Sequence, residues 1–245
     1  VQAVHESIQV LEEPEGKNTA PAIFWAARRC QELYGDEAVL LVLPSDHLIT
    51  NEKGYQETMA RGIANAQQGY LITFGIRPTH PETGYGYIQI ETTQPIMEHS
   101  YPVKTFIEKP DKTRAKQFIE SGNYFWNSGM FAFHIGTLLA DGQNLCKDVA
   151  EPFINSDPND SLQIANAYIQ CQAQSIDYAV MEETNNAWVV PASFGWSDVG
   201  SWQSLFELSP RDERGNMLRG EHVVIDTKNC LIYGTERLIA AVGME

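Results

Sequence analysis

The sequence has no apolar run near the roughly 20 residues a membrane-spanning helix needs, and its opening residues, VQAVHESIQV, lack the basic start and apolar middle of a secretory signal. The expected location is therefore the cytoplasm. Cysteine is scarce and scattered. Cys30, Cys146, Cys171 and Cys230 form no C-x-x-C pair, which fits reduced thiols better than a disulfide framework or a zinc site. Basic residues are outnumbered, 17 Lys and Arg against 32 Asp and Glu, and a net charge of −15 disfavours nucleic acid and anionic membrane as partners. A small anionic substrate is compatible with that charge if a few local cations, backbone amides and a divalent ion receive it.

Several chemical classes lack their motifs. There is no G-x-x-x-x-G-K-[ST] loop and no G-x-G-x-x-G, so neither a P-loop NTPase nor a dinucleotide-dependent dehydrogenase is supported. The six histidines show no metalloprotease spacing and read as structural or surface residues. Ser45, Ser128 and Ser197 sit in no nucleophile elbow, leaving covalent hydrolysis without a motif.

What is present has the rhythm of an α/β domain. A strand-like run over 7–11 leads through a polar loop to a helix over 19–34, capped by Asn18 or Thr19 with Pro21 tolerated in its first turn. Val39 to Leu43 is a continuous apolar run of the kind buried parallel strands have, and it ends abruptly at Pro44-Ser45-Asp46-His47. Helical spacing recurs over 51–68, stopped by Gly69, and over 112–120, stopped by Gly122. Strands are expected over 70–75, 87–90, 103–107, 130–134 and 188–191. Helix is expected from 138 to 171 around a loop at 155–160, and again over 175–182. From Met217 short β segments alternate with Gly220, Asn229 and Gly234, which reads as the start of a small second unit. The expected division is 1–216 and 217–245.

The candidate functional residues sit where strands end. Asp46 in LVLPSDH and Asp198 in FGWSDVGS each follow an apolar segment, and two such carboxylates can share one Mg²⁺. A lone Asp in a turn more often caps a helix or closes an Asx-turn. In TFIEKPD, Glu108 can accept hydrogen bonds from sugar hydroxyls and Lys109 can neutralise a phosphate, although the pair also reads as a solvated ion pair. Gly84 and Gly86 around Tyr85 fit either the close approach of a ligand or a simple bulge, and Asn127 beside Gly129 fits a site or a turn. EPEGKNTAPAI places a Lys and a helix start together, which suits a nucleotide. Trp196 and Trp202 read as packing around the Asp198 loop.

Taken in order, EPEGKNTAPAI, LPSDH, FGIRPTHPETGYGYI, FIEKP, WNSGMF, SIDYAVME and FGWSDVGSW resemble the bacterial mannose-1-phosphate guanylyltransferases over essentially the whole chain. That resemblance implies a GT-A-like, Rossmann-related α/β nucleotidyltransferase domain with a mixed, mostly parallel sheet, followed by the start of a β-helical tail. It implies GTP and mannose 1-phosphate as substrates, GDP-mannose and pyrophosphate as products, and Mg²⁺ as cofactor. By position, Asp46 and Asp198 become metal ligands and, with Lys109, the catalytic set. Tyr85, Gly86, Glu108 and Asn127 become the mannose contacts, and Glu13, Pro14, Asn18 and Thr19 line the guanine and ribose. The family's glycine-rich phosphate loop has no counterpart between Val1 and Glu245, and Glu183 stands where a basic residue is common. Without that loop, this chain by itself is expected to have little or no transferase activity. Two alternatives stay open: a non-catalytic sugar-phosphate-binding remnant and a transferase for another hexose 1-phosphate. Exposed strand edges and the apolar C-terminal segment allow a homo-oligomer.

Overall fold

The computed structural model describes residues 8–92, 94–97 and 99–245. Contact density divides it into two units, Val1–Ser45 with Thr50–Phe194, and Asp46–Ile49 with Gly195–Glu245. In chain order the elements are α1 (Thr19–Tyr34), β1 (Val39–Val42), β2 (Leu48–Ile49), α2 (Glu52–Ala66), β3 (Leu71–Ile76), β4 (Tyr87–Ile90), β5 (Tyr101–Ile107) and α3 (Lys112–Ser121). There follow β6 (Tyr124–His134), α4 (Ile135–Leu145), α5 (Lys147–Ile154), α6 (Ser161–Gln170) and a π-helical turn, Asp177–Met181. The chain continues through β7 (Ala187–Ala192), β8 (Trp196–Ser197), α7 (Trp202–Leu208), β9 (Met217–Arg219), β10 (His222–Ile225), β11 (Leu231–Tyr233) and β12 (Ile239–Val242).

The first unit is built on a six-stranded sheet, ordered β1-β6-β3-β7-β5-β4, and β4 pairs back onto β6. The sheet is mixed, as expected, but it is not mostly parallel. Only β3 and β7 run parallel, while β6 is antiparallel to β1, β3 and β4, and β5 is antiparallel to β4 and β7. A continuous apolar run reports burial, not direction, so Val39–Val42 was legible as a strand but not as this half-buried one, antiparallel to β6. Residues 8–11 carry no regular structure, and Ser7, the first residue of that expected strand, lies outside the described residues.

Helix termini follow local chemistry. The Asn18 side chain accepts from the Thr19 N–H, Asp111 accepts from Thr113 and Arg114, and Gly122 ends α3 at φ 72°, where a Cβ would be strained. Phe24 of α1, Phe133 of β6, Phe153 of α5 and Tyr168 of α6 are fully buried in one core, with Tyr168 meeting Trp25 and Phe153 edge-on. Burying four such rings supplies about 2 kcal/mol each before the entropy of ordering them.

In the second unit β9 pairs parallel with β11 and β10 with β12, so the chain returns in the same direction after each short turn. The buried Asn216 stitches these turns: its amide donates to Asp212 and the Thr227 carbonyl and accepts from the Cys230 N–H. This unit also includes α7, whose Trp202 lies against Tyr233 at 5.9 Å, and the antiparallel β2–β8 ladder. By contact density the second unit takes in Asp46–Ile49 and everything from Gly195 onward. Among the described residues no helix is long and apolar enough to cross a membrane.

Candidate functional site

Register brings the first group together. Tyr87 of β4 faces Ile107 on one neighbour and Trp126 on the other. One residue earlier, Gly86 lies between Glu108 and Asn127, and the Asn127 N–H donates to the Gly86 carbonyl at 2.8 Å. A Cβ on Gly86 would stand 2.6 Å from Glu108 Oε2 and 3.4 Å from the Asn127 Cβ, so the missing side chain leaves the hollow into which both neighbours lean. Gly86 is thus a close-approach glycine rather than a plain bulge. Tyr85 borders the group and meets Trp126 edge-on at 5.3 Å.

Asn127 is presented by an irregularity in β6. Thr73 faces Phe131 and Gly75 faces Asn127, so β6 spends two more residues than β3 over this stretch, and Gly129 takes φ 70° within it. The expected turn at WNSGM is therefore a bulge inside a strand. The Asn127 amide is then fixed on both sides: Oδ1 accepts from Thr73 Oγ1 at 2.9 Å and from the Gly129 N–H at 3.3 Å, and Nδ2 donates to Asp177 Oδ1 at 2.8 Å.

Electrostatics mark the same place. The Glu108 side chain is 12 % exposed and pairs at 2.9 Å with Lys109 Nζ, whose side chain is 62 % exposed. The Glu108 hydrogen bond and charge raise the Lys109 pKa, keeping it cationic. Asp177 is half-buried, and loss of water together with the Glu108 charge pushes its pKa up to about 6. Burial also raises the Glu182 pKa, and the charges of Glu108, Glu183 and Asp177 act in the same direction. Sequence reading missed Asp177 and Glu182 as site residues. Only their place in SIDYAVME hinted at them, because a helical pattern does not announce a π-turn.

The second group, from Glu13 to Thr19, does not join that ladder but is laced to the segment after α6. Glu13 Oε1 accepts from Tyr168 Oη at 2.9 Å, Lys17 Nζ donates to the Cys171 carbonyl at 3.0 Å, and Thr19 Oγ1 accepts from the Ile176 N–H at 2.9 Å. Ala20 donates its N–H to the Gln174 carbonyl. Asn18 holds the left-handed φ of 69°, and Pro14 is exposed in the same loop.

The third group lies in the second unit. β2 and β8 pair Leu48 with Ser197 and Ile49 with Trp196, which carries Asp46 and Asp198 to the same end of one ladder. His47 lies beside them: Trp196 Nε1 donates to its Nδ1 at 3.0 Å, and burial lowers its pKa against the opposing charges of Asp46 and Asp198. With Nδ1 accepting, the neutral ring carries its proton on Nε2 and offers a metal neither nitrogen. Asp198 Oδ1 also closes a turn by accepting from the Gly200 N–H at 3.1 Å. Among the described residues no three His, Cys, Asp or Glu gather to hold a metal. Two carboxylates at one ladder end would suit a hard ion that keeps waters and phosphate oxygens rather than zinc.

Residues 2–215 match the model of the nucleotidyl transferase family, and residues 220–245 match that of the MannoseP isomerase/GMP-like β-helix domain. The chain belongs to the nucleotidyl transferase family. It is 40 % identical to the alginate biosynthesis protein AlgA of Pseudomonas syringae pv. tomato over 98 % of this chain and 51 % of that protein. It is 42 % identical to the mannose-1-phosphate guanylyltransferase of Klebsiella pneumoniae over 98 % of this chain and 52 % of that one. The chain thus spans about half the length of the curated relatives it matches. A solved structure described as a mannose-1-phosphate geranyltransferase from Thermus thermophilus superposes with a TM-score of 0.88 at 32 % identity, covering 99 % of this chain and 71 % of that one. The expected nucleotidyltransferase fold is borne out.

Proposed function

We propose that this nucleotidyl transferase chain serves the transfer of GMP from GTP to mannose 1-phosphate, giving GDP-mannose and pyrophosphate. The observation that carries the reading is the cradle of Gly86, Glu108 and Asn127 with Lys109 at its edge. A recessed carboxylate and an oriented amide are what a polyhydroxyl ring asks for, and an exposed lysine beside them is what its phosphate asks for. The relative from Klebsiella pneumoniae, named for that activity, supports the choice of sugar and base.

In this reading Glu108 accepts from ring hydroxyls, Asn127 supplies a donor, Tyr85 walls the ring and Lys109 holds the sugar phosphate. Glu13, Pro14, Asn18 and Thr19 line the guanosine, in a loop already stiffened by Tyr168, Cys171 and Ile176. Asp46 and Asp198 are the ligands for Mg²⁺, which when bound supplies positive charge against phosphate oxygens. The chain's own contribution is to bring a phosphate oxygen into line with the α-phosphorus of GTP, holding two anions that repel in solution. No covalent enzyme intermediate is required. The division at 216/217 is proposed as the end of the catalytic sequence and the start of the β-helical tail.

The test is Asp198→Asn measured against wild type in the full-length protein. Mg²⁺-dependent release of pyrophosphate is expected to fall by about 100-fold or more, as for loss of a transition-state charge stabiliser, while mannose 1-phosphate binding by calorimetry changes less than about threefold. Unchanged release of pyrophosphate in the variant refutes the metal assignment. A wild-type chain that ignores mannose 1-phosphate refutes the sugar assignment.

A further inference from the structure

Asparagine is a poor recognition residue unless something decides which way its amide faces, because oxygen and nitrogen exchange places on a half-turn. At Asn127 the decision is made twice. The Gly129 N–H can only donate, so it calls for Oδ1, while an ionised Asp177 can only accept, so it calls for Nδ2. Thr73 Oγ1 adds a second donor on the oxygen side. One Nδ2 hydrogen stays uncommitted.

The element that brings Asp177 there is unusual. Within the turn the Glu182 N–H bonds the Asp177 carbonyl, five residues back, the π-type spacing that recurs at functional sites. One wide turn therefore sets Asp177 on the Asn127 amide and brings the Glu182 carboxylate within reach of the Glu108 charge. The neighbouring residue Ile176 donates its N–H to Thr19, so the same segment also anchors the loop that begins α1. The charged groups facing Asp177 are Glu108 and Lys109, and Glu182 feels the Asp177 charge in turn. Three acids against one lysine is a costly arrangement unless one acid gives up its charge easily.

We propose that the π-helical turn is a positioning clamp for sugar recognition: Asp177 fixes the orientation of the Asn127 amide and acts through it. This rests on the sugar-phosphate reading of the cradle. Because Asp177 ionises near pH 6, the clamp is strongest at neutral and alkaline pH and slackens below that.

The experiment has two arms on the 245-residue chain. In the first, the side-chain amide resonances of Asn127 are followed by NMR from pH 5 to 8, and they are expected to shift with a midpoint near 6 in wild type and to stay flat in Asp177→Asn. In the second, mannose 1-phosphate is titrated calorimetrically. Asp177→Asn is expected to raise Kd about 10-fold at pH 8, because the hydrogen bond to Asn127 loses its charge and the neutral amide no longer dictates which way Asn127 faces, with the ratio to wild type falling toward one at pH 5. A merely structural role would leave that ratio flat. Thr73→Val keeps a β-branched side chain in a buried strand and removes only the hydroxyl, so it is expected to raise Kd about fivefold at every pH. That variant and the wild-type resonances carry the test if Asp177→Asn does not fold. Amide resonances blind to pH, or a flat ratio with intact wild-type binding, overturn the clamp alone. Titrating resonances in a chain that does not bind mannose 1-phosphate overturn both the clamp and the reading beneath it.

Discussion

Asp177 is a case where the site is expected to cost the fold stability, and the cost can be worked out. Its carboxyl moves from an ordinary 3.8 to about 6 on folding, because it leaves water and faces Glu108. At about 1.4 kcal/mol per tenfold, that shift corresponds to about 3 kcal/mol. The sign follows from which state holds the proton more tightly. The folded chain does, so the stabilising contribution is complete below pH 3.8 and is lost as pH rises through about 6. An asparagine at 177 does not titrate, and its carbonyl oxygen can still accept from Asn127 Nδ2. Relative to wild type, Asp177→Asn should therefore gain about 3 kcal/mol between acid and pH 8, of which about 1.4 kcal/mol develops between pH 5 and pH 8. Denaturant unfolding of both chains at pH 5, 6, 7 and 8 reads this directly, and effects of other acids cancel in the difference. A difference that does not change with pH would refute the reasoning, since it would mean that Asp177 has the same affinity for protons folded and unfolded. A gain in stability paired with a loss of sugar binding is the pattern expected of a strained functional group.

Gly86→Ala should fill the cradle. Its Cβ would meet Glu108 Oε2 at 2.6 Å, and because that atom ends a flexible side chain the carboxylate swings away rather than the strand parting. The expected result is a stability loss of about 1 kcal/mol with at least a 10-fold rise in the Kd for mannose 1-phosphate, seen by melting and calorimetry together; unchanged affinity would rule the cradle out. Trp196→Phe removes the indole donor from His47 Nδ1 while leaving an aromatic ring in place. Since that bond favours the neutral imidazole, the His47 midpoint, held low by burial, should move upward in an NMR titration. Its depressed value in wild type means stability that is present above pH 6.5 and lost as pH falls, and the variant should lose less.

Much of the secondary structure was legible because its causes are local. Asn18, Asp111 and Gly122 mark helix ends by hydrogen bonds and backbone angles spanning a few residues, and α1 and β3 appear within a residue of where periodicity puts them. The extent of β6 was harder to read, since Asn127-Ser128-Gly129 looks like a turn until neighbouring strands hold it as a bulge. The pairing of Leu48 with Ser197, 149 positions away, left no mark in either short segment. His47 was read only as a structural or surface residue, because nothing nearby in sequence says that Trp196 will bond its ring.

By itself, the sequence determined which residues are available and in what order: two aspartates at strand ends, a Glu-Lys pair stopped by a proline, glycines around Tyr85, and a short-range code for helix starts and stops. Tertiary structure alone decided strand direction, the bulge that turns Asn127 toward Asp177, and the proton affinity of that half-buried acid. The reason is one of range. Caps and periodicity act over a turn of chain, whereas register and desolvation arise only when segments 50 or more residues apart, such as Asn127 and Asp177, are packed against each other.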